Sequence, residues 1–238
     1  MEDLPSRPDR ARYYCSTGPE FSKIHEDREL RFLCLSPLPV LVGITGPPKA
    51  GKTMVAKHLV TQMGFYYASL SSLLQEKATS LGIAQPSWRD LSDIALTWRA
   101  REGNAVLVHA LFDRLLVNDV LRARRAIVID GVLHPDEMSE LLSKPRFVPI
   151  AIIASRRRRY DLAASWFGAE GVVSWDEFVE RDRWELGVEQ GPAHPLGAPD
   201  VRLCIRLIPR ENRFAFKGDE KQLVQRITCF LQSVHPTW

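Results

Sequence analysis

The sequence predicts an α/β fold in three layers, with a central and mainly parallel sheet of about five strands. Three observations predict it. Continuous apolar, β-branched runs at 39–45, 125–131 and 147–155 read as strands buried on both faces. Stretches with apolar residues at helical spacing alternate with these runs, as βαβ units require. The first run also passes directly into a glycine-bounded turn that opens a helix.

Residues 1–37 carry mixed charge and prolines without a sustained period, and are expected to form an extension. From Pro39, PVLVGIT is the first strand, and KTMVAKHLVTQM follows as a helix with Met54, Val55, His58, Leu59 and Met63 on one face. FYYAS (65–69) reads as a short strand, and SSLLQEKATSLG as a helix closed by Gly82. Two amphipathic helices are expected at 89–101 and 104–119, broken near Gly103. RAIVIDG is a buried strand, and PDEMSELLSK is a helix with Pro135 at its first position. FVPIAIIAS is the next buried strand and leads into an arginine-rich helix. Ser174 and Glu177 have capping-box spacing and open a helix to about Leu186. VRLCIRLI (201–208) reads as the last strand, and a helix from near Gly218 ends the chain.

Composition excludes several classes. A hydrophobic fraction of 45% and a charged fraction of 26% suit a globular protein, and a net charge of +3 does not argue for nucleic acid. Cys15, Cys34, Cys204 and Cys229 are scattered, which argues for neither a zinc site nor a disulfide framework. The acidic, proline-broken start does not read as a targeting signal, and no apolar stretch approaches the ~18 residues of a membrane span. A cytoplasmic location is the expectation. The run Arg156 to Arg159 reads either as a solvated helix face or as an anion patch.

The chemistry is carried by Gly46-Pro47-Pro48-Lys49-Ala50-Gly51-Lys52-Thr53, a match to G-x-x-x-x-G-K-[ST] between a strand and a helix. Backbone amides of such a loop, through Met54 in the first helical turn, converge on a phosphate with the helix dipole behind them. Lys52 is expected on the β- and γ-phosphates and the Thr53 hydroxyl on magnesium. Pro47 and Pro48 have no N–H, so donation starts at Lys49, and a positive φ there would cost about 1 kcal/mol. Asp130 ends a buried strand at the carboxyl edge of the sheet, where ligands bind. It reads as a metal-shell carboxylate or as the start of an Asp-Gly turn.

The order of phosphate loop, helical middle, V-I-D-G strand and strand-to-arginine helix resembles the nucleoside monophosphate kinase superfamily of P-loop proteins. The likeness is greatest to dephospho-CoA kinase-like and small nucleotide kinase-like members. It rests on Gly46 to Thr53, Ser69 to Gly82, Ala126 to Gly131, Ala151 to Arg159 and Glu177 to Glu185. It implies a P-loop NTPase fold over residues 38–238, with acceptor-binding helices at about 69–119 and a short lid at about 160–183. ATP and Mg2+ are the implied cofactors. Where the family offers an Asp and an Arg to the acceptor, this chain has Ser72 and Gln75, with Arg99 and Arg101 in the following helix as alternative cations. Arg159 falls on the family's lid-base position, and Leu162 stands where a further arginine is usual. Arg181 and Arg183 lie where a second lid arginine would come from, and family members usually carry glycine in place of Lys49.

Two functions follow from the resemblance. One is an ATP- and Mg2+-dependent phosphotransferase acting on a small acceptor, a (deoxy)nucleoside monophosphate or a dephospho-CoA-like molecule. The other is a nucleotide-binding switch or scaffold of kinase ancestry that transfers nothing. An ATPase working on nucleic acid is disfavoured, because the aromatics are not interleaved with the basic runs. The sequence does not give the oligomeric state.

Overall fold

Among the described residues five strands, β1 (Val40–Thr45), β2 (Tyr66–Ser69), β3 (Ala126–Asp130), β4 (Phe147–Ile153) and β5 (Arg213–Ala215), pair in the order β2-β3-β1-β4-β5. Every pair is parallel. The computed structural model describes residues 38–167, 174–188, 195 and 197–235. The expected N-terminal extension at 1–37, the lid segment at 168–173, Cys15 and Cys34 lie outside the described residues.

The helices are α1 (Lys52–Met63), α2 (Leu70–Ser80), α3 (Trp88–Glu102), α4 (Val106–Val117), α5 (Val120–Ala123), α6 (Pro135–Leu142), α7 (Arg156–Phe167), α8 (Trp175–Leu186), α9 (Val201–Leu207) and α10 (Glu220–Val234). Alternation along the strands divides them between two layers. Val40, Val42 and Ile44 of β1 face the layer of α1 and α10, where they meet Val55, Leu59, Ile227 and Leu231. Leu41, with Ile127 and Ile129 of β3, faces α2, α4, α6 and α9 on the other side. Burial of both faces explains why the central strands are apolar throughout. Each fully buried aliphatic side chain contributes about 1.5–3 kcal/mol. Among the described residues no helix is long and apolar enough to cross a membrane.

The structure corrects the reading of 201–208. Those residues form helix α9, with Asp200 at its N-cap accepting from the Leu203 amide at 2.9 Å. Val201, Cys204 and Ile208 are the buried positions, a spacing of three and four that belongs to a helix. The fifth strand is instead the short Arg213-Phe214-Ala215 that follows it. Ser174 caps α8 as its spacing predicted, accepting from the Glu177 amide at 3.2 Å.

Candidate functional site

Strand β1 delivers the chain to Gly46 at the carboxyl edge of the sheet. Glycine is required there: a Cβ would lie 2.2 Å from the Ile152 carbonyl oxygen, and φ is 146°. The loop then tightens, with the Ala50 amide donating to the Pro47 carbonyl at 3.2 Å. It enters α1 through Gly51, in the left-handed region at φ 97°. Lys49 also adopts positive φ, at 60°, at the position where the resemblance has glycine. Helix α1 has no side-chain cap and no acidic residue in its first turn. The amides of that turn and the positive end of the dipole are therefore left for an anion.

Lys52 folds back so that its ammonium donates to the Gly46 and Pro47 carbonyls, at 2.8 Å each. Burial lowers its pKa, against the opposing pull of Glu185 and Asp130. On the far side of the loop the Thr53 hydroxyl donates to Asp130 Oδ2 at 2.7 Å. The Tyr67 hydroxyl donates to the same oxygen at 3.1 Å, and its own pKa is pushed up to about 12 by burial and by that carboxylate. Asp130 is 5% exposed and ends β3, so its position is set by the sheet. Among the described residues no cluster of three or more His, Cys, Asp or Glu side chains is placed to hold a metal. Thr53 and Asp130 instead supply an oxygen pair of the kind magnesium uses when phosphate oxygens and water complete its octahedron.

A cavity of about 620 Å³ opens over this floor, lined by the loop, Asp130, Gly131, Ser71 and Leu133. Its far wall comes from α8, through Arg181 and Glu185, joined at 2.7 Å. Glu185 is 7% exposed, and it shares the cavity's charged lining with Lys49, Lys52, Lys57, Arg181 and Glu220.

The structure places the sequence-predicted residues unevenly. Pro48, Lys49, Gly51, Lys52, Thr53, Met54 and Asp130 line the cavity. Arg159 does not. It is 3% exposed, and it donates to the Pro48 carbonyl at 3.1 Å, to the Ala154 carbonyl at 3.1 Å and to Asp182. Arg183 is exposed on α8 and is not among the lining residues, whereas Arg181 of the same helix is. Arg99 is buried in an ion pair with Glu137 at 2.5 Å and donates to the Gly197 carbonyl at 3.0 Å. Arg101 and Gln75 are exposed on α3 and α2, and the Ser72 hydroxyl donates to its own helix start at Ser69, 2.8 Å away. None of these four lines the cavity, and Ser71 is the residue of α2 that does.

The arginine run is neither wholly solvated nor an anion patch. Arg156 and Arg159 converge on the fully buried Asp182, and Arg158 donates to the Gly218 carbonyl at 3.0 Å. Arg157 alone of the four makes a solvated surface pair, with Asp161 at 3.1 Å. Sequence reasoning missed Tyr67, Ser71 and Glu185. For Glu185 a signal was present, since the i,i+4 spacing from Arg181 puts both on one helix face.

Comparison with known proteins agrees with this architecture. The chain matches no protein-family model. It is 24% identical over 189 residues to a UPF0200 protein of Hyperthermus butylicus, covering 79% of this chain and 95% of that one. A UPF0200 protein of Pyrococcus abyssi is 24% identical over 195 residues, covering 80% and 98%. Among solved structures, shikimate kinase from Acinetobacter baumannii in complex with shikimate superposes with a TM-score of 0.52 at 14% identity, over 83% of this chain and 95% of that one. A Thermus thermophilus protein superposes with a TM-score of 0.50 at 18% identity, over 84% and 99%. The fold is that of the P-loop kinases.

Proposed function

We propose that this chain is an ATP- and Mg2+-dependent phosphotransferase that moves a γ-phosphate to a small acceptor. A (deoxy)nucleoside monophosphate or a dephospho-CoA-like molecule is the acceptor class the sequence suggests. The observation that carries this reading is the Thr53–Asp130 pair at 2.7 Å beside Lys52, on the floor of a cavity that begins at an uncapped helix N-terminus. Phosphoryl transfer asks the protein mainly for positioning and charge neutralisation. Lys52 and the amides from Lys49 onward would hold the phosphate tail, and Thr53 and Asp130 would hold the cation's shell. Magnesium, when bound, supplies further neutralisation of the phosphate oxygens. Arg181, Ser71 and Leu133 line the same cavity and are the residues an acceptor would meet.

A second reading, a nucleotide-binding switch or scaffold without transfer, is favoured by one observation. The arginine that the resemblance assigns to the transferring phosphate, Arg159, is committed to Asp182 and to the loop's own backbone. One experiment separates the two. The protein and Lys52→Ala are given Mg-ATP with a panel of nucleoside monophosphates and dephospho-CoA, and binding is titrated calorimetrically in parallel. Transfer that depends on Lys52 establishes the phosphotransferase. Binding with no transfer across the panel establishes the switch, and a flat titration removes both.

A further inference from the structure

Lys49 stands under two independent penalties. Its backbone is left-handed, at φ 60°, a conformation that glycine adopts freely and a branched-at-Cα residue does not. Its ammonium is also disfavoured, because burial lowers its pKa to about 8 and Arg181 and Lys52 add to the shift, with Glu185 opposing. Both penalties would vanish with glycine. The residue nevertheless adds a cation to a cavity already lined by Lys52, Lys57 and Arg181.

The cavity's other charges narrow what that cation is for. Arg181 is already held by Glu185 at 2.7 Å, Lys52 is turned onto the Gly46 and Pro47 carbonyls, and Lys57 lies exposed a turn further along α1. Arg159 is buried against Asp182, and Arg183 is not on the wall. Lys49 is rooted in the loop itself, between Gly46 and Gly51, and it lines the cavity that opens over the phosphate cradle. A cation that lies close to other cations in a half-buried site is stabilised by a multiply charged anion.

We infer that Lys49 is a phosphate-contacting residue, which binds the terminal phosphate of a bound nucleoside triphosphate alongside Lys52 and supplies the charge that a lid arginine would otherwise bring. The inference rests on the nucleotide reading of the site. It makes the loop self-sufficient: the neutralising cation arrives with the cradle and not with a closing lid. It also accounts for a strained lysine at a position whose backbone geometry suits glycine.

The test compares wild type, Lys49→Gly and Lys49→Arg, each as the full chain. Thermal unfolding is followed without ligand, and binding of Mg-ATP and of inorganic tripolyphosphate is measured by calorimetry. Lys49→Gly is expected to unfold at a higher temperature than wild type and yet to bind both ligands about tenfold or more weakly, the scale of one lost charge-assisted contact. Lys49→Arg is expected to recover most of that affinity. Equal affinity in wild type and Lys49→Gly would overturn the assignment while leaving the nucleotide reading intact. A fall in affinity that merely tracks a fall in stability would overturn it as well. Failure of wild type to bind either ligand removes this inference and the nucleotide reading together. Weakened binding in Lys49→Gly with no transfer by wild type supports the lysine's role and removes only the transferase.

Discussion

Arg159 donates to the Pro48 carbonyl at 3.1 Å, so the first turn of α7 is tied directly to the backbone of the phosphate loop. The same guanidinium pairs with Asp182 of α8, whose other oxygen accepts from Arg156 at 2.6 Å. One buried carboxylate thereby fixes the loop, the helix after β4 and the wall of the cavity relative to one another. Arg159→Met would leave Asp182 buried with a single partner, and removal of one member of such a pair costs about 3–5 kcal/mol. Urea unfolding should show that loss in full. The double variant Arg159→Met with Asp182→Leu should recover much of it, because no uncompensated buried charge remains and Arg156, with its side chain 40% exposed, keeps water as its partner.

Glu185 should behave in the opposite way. Its carboxylate lies on the cavity wall with Lys49, Lys52 and Arg181, and it holds Arg181 at 2.7 Å. An entering phosphate tail meets this negative charge as repulsion and finds Arg181 already engaged. Glu185→Gln keeps the shape and removes the charge. Mg-ATP and tripolyphosphate should bind several-fold more tightly, while the unfolding midpoint falls as the cations lose their counter-charge. An unchanged affinity in calorimetry would place Glu185 outside the ligand's field.

Much of this was legible in the sequence, and what was not has physical causes. The phosphate loop, Asp130 and the three long strands announce themselves because double burial makes a strand uniformly apolar and the loop motif is local. The positive φ of Lys49 was hinted at only by the resemblance, whose members usually carry glycine there. Helix α9 was misread because VRLCIRLI alternates well enough to pass for a strand, and only its packing against α6 and β1 selects period 3.6. The fates of Arg99 and Arg159 were hidden because their partners, Glu137 and Asp182, lie 38 and 23 residues away in sequence. No pattern in the chain says which of several arginines a buried carboxylate will claim.

Asp130 offers a test of the magnesium pair. Asp130→Asn keeps the Thr53 and Tyr67 hydroxyls supplied with an acceptor while removing the charge that a cation's shell needs. Loss of such a supporting ligand typically lowers metal affinity by about 10–100-fold. Titrations with ATP should therefore lose most of their magnesium dependence. Binding of metal-free ATP should strengthen, because a carboxylate facing the phosphates has been neutralised. If magnesium dependence is retained in full, the cation is held elsewhere.

The depressed lysines give the unliganded protein a defined response to alkali. Lys49 titrates at about 8 in the folded chain against 10.5 when unfolded, and burial moves Lys52 in the same direction. Below about pH 8 Lys49 carries its proton in both states, and the penalty for holding that charge in the fold is fully present. Between about 8 and 10.5 the folded chain has released the proton while the unfolded chain still binds it. The unfolded state then holds more protons, so the contribution of Lys49 to stability rises with pH across this window. Lys49→Gly lacks this term. Its stability advantage over wild type, read from unfolding midpoints without ligand, should therefore be largest near pH 7 and shrink toward pH 10. A constant difference across that range would show that the Lys49 ammonium is as well solvated in the fold as out of it.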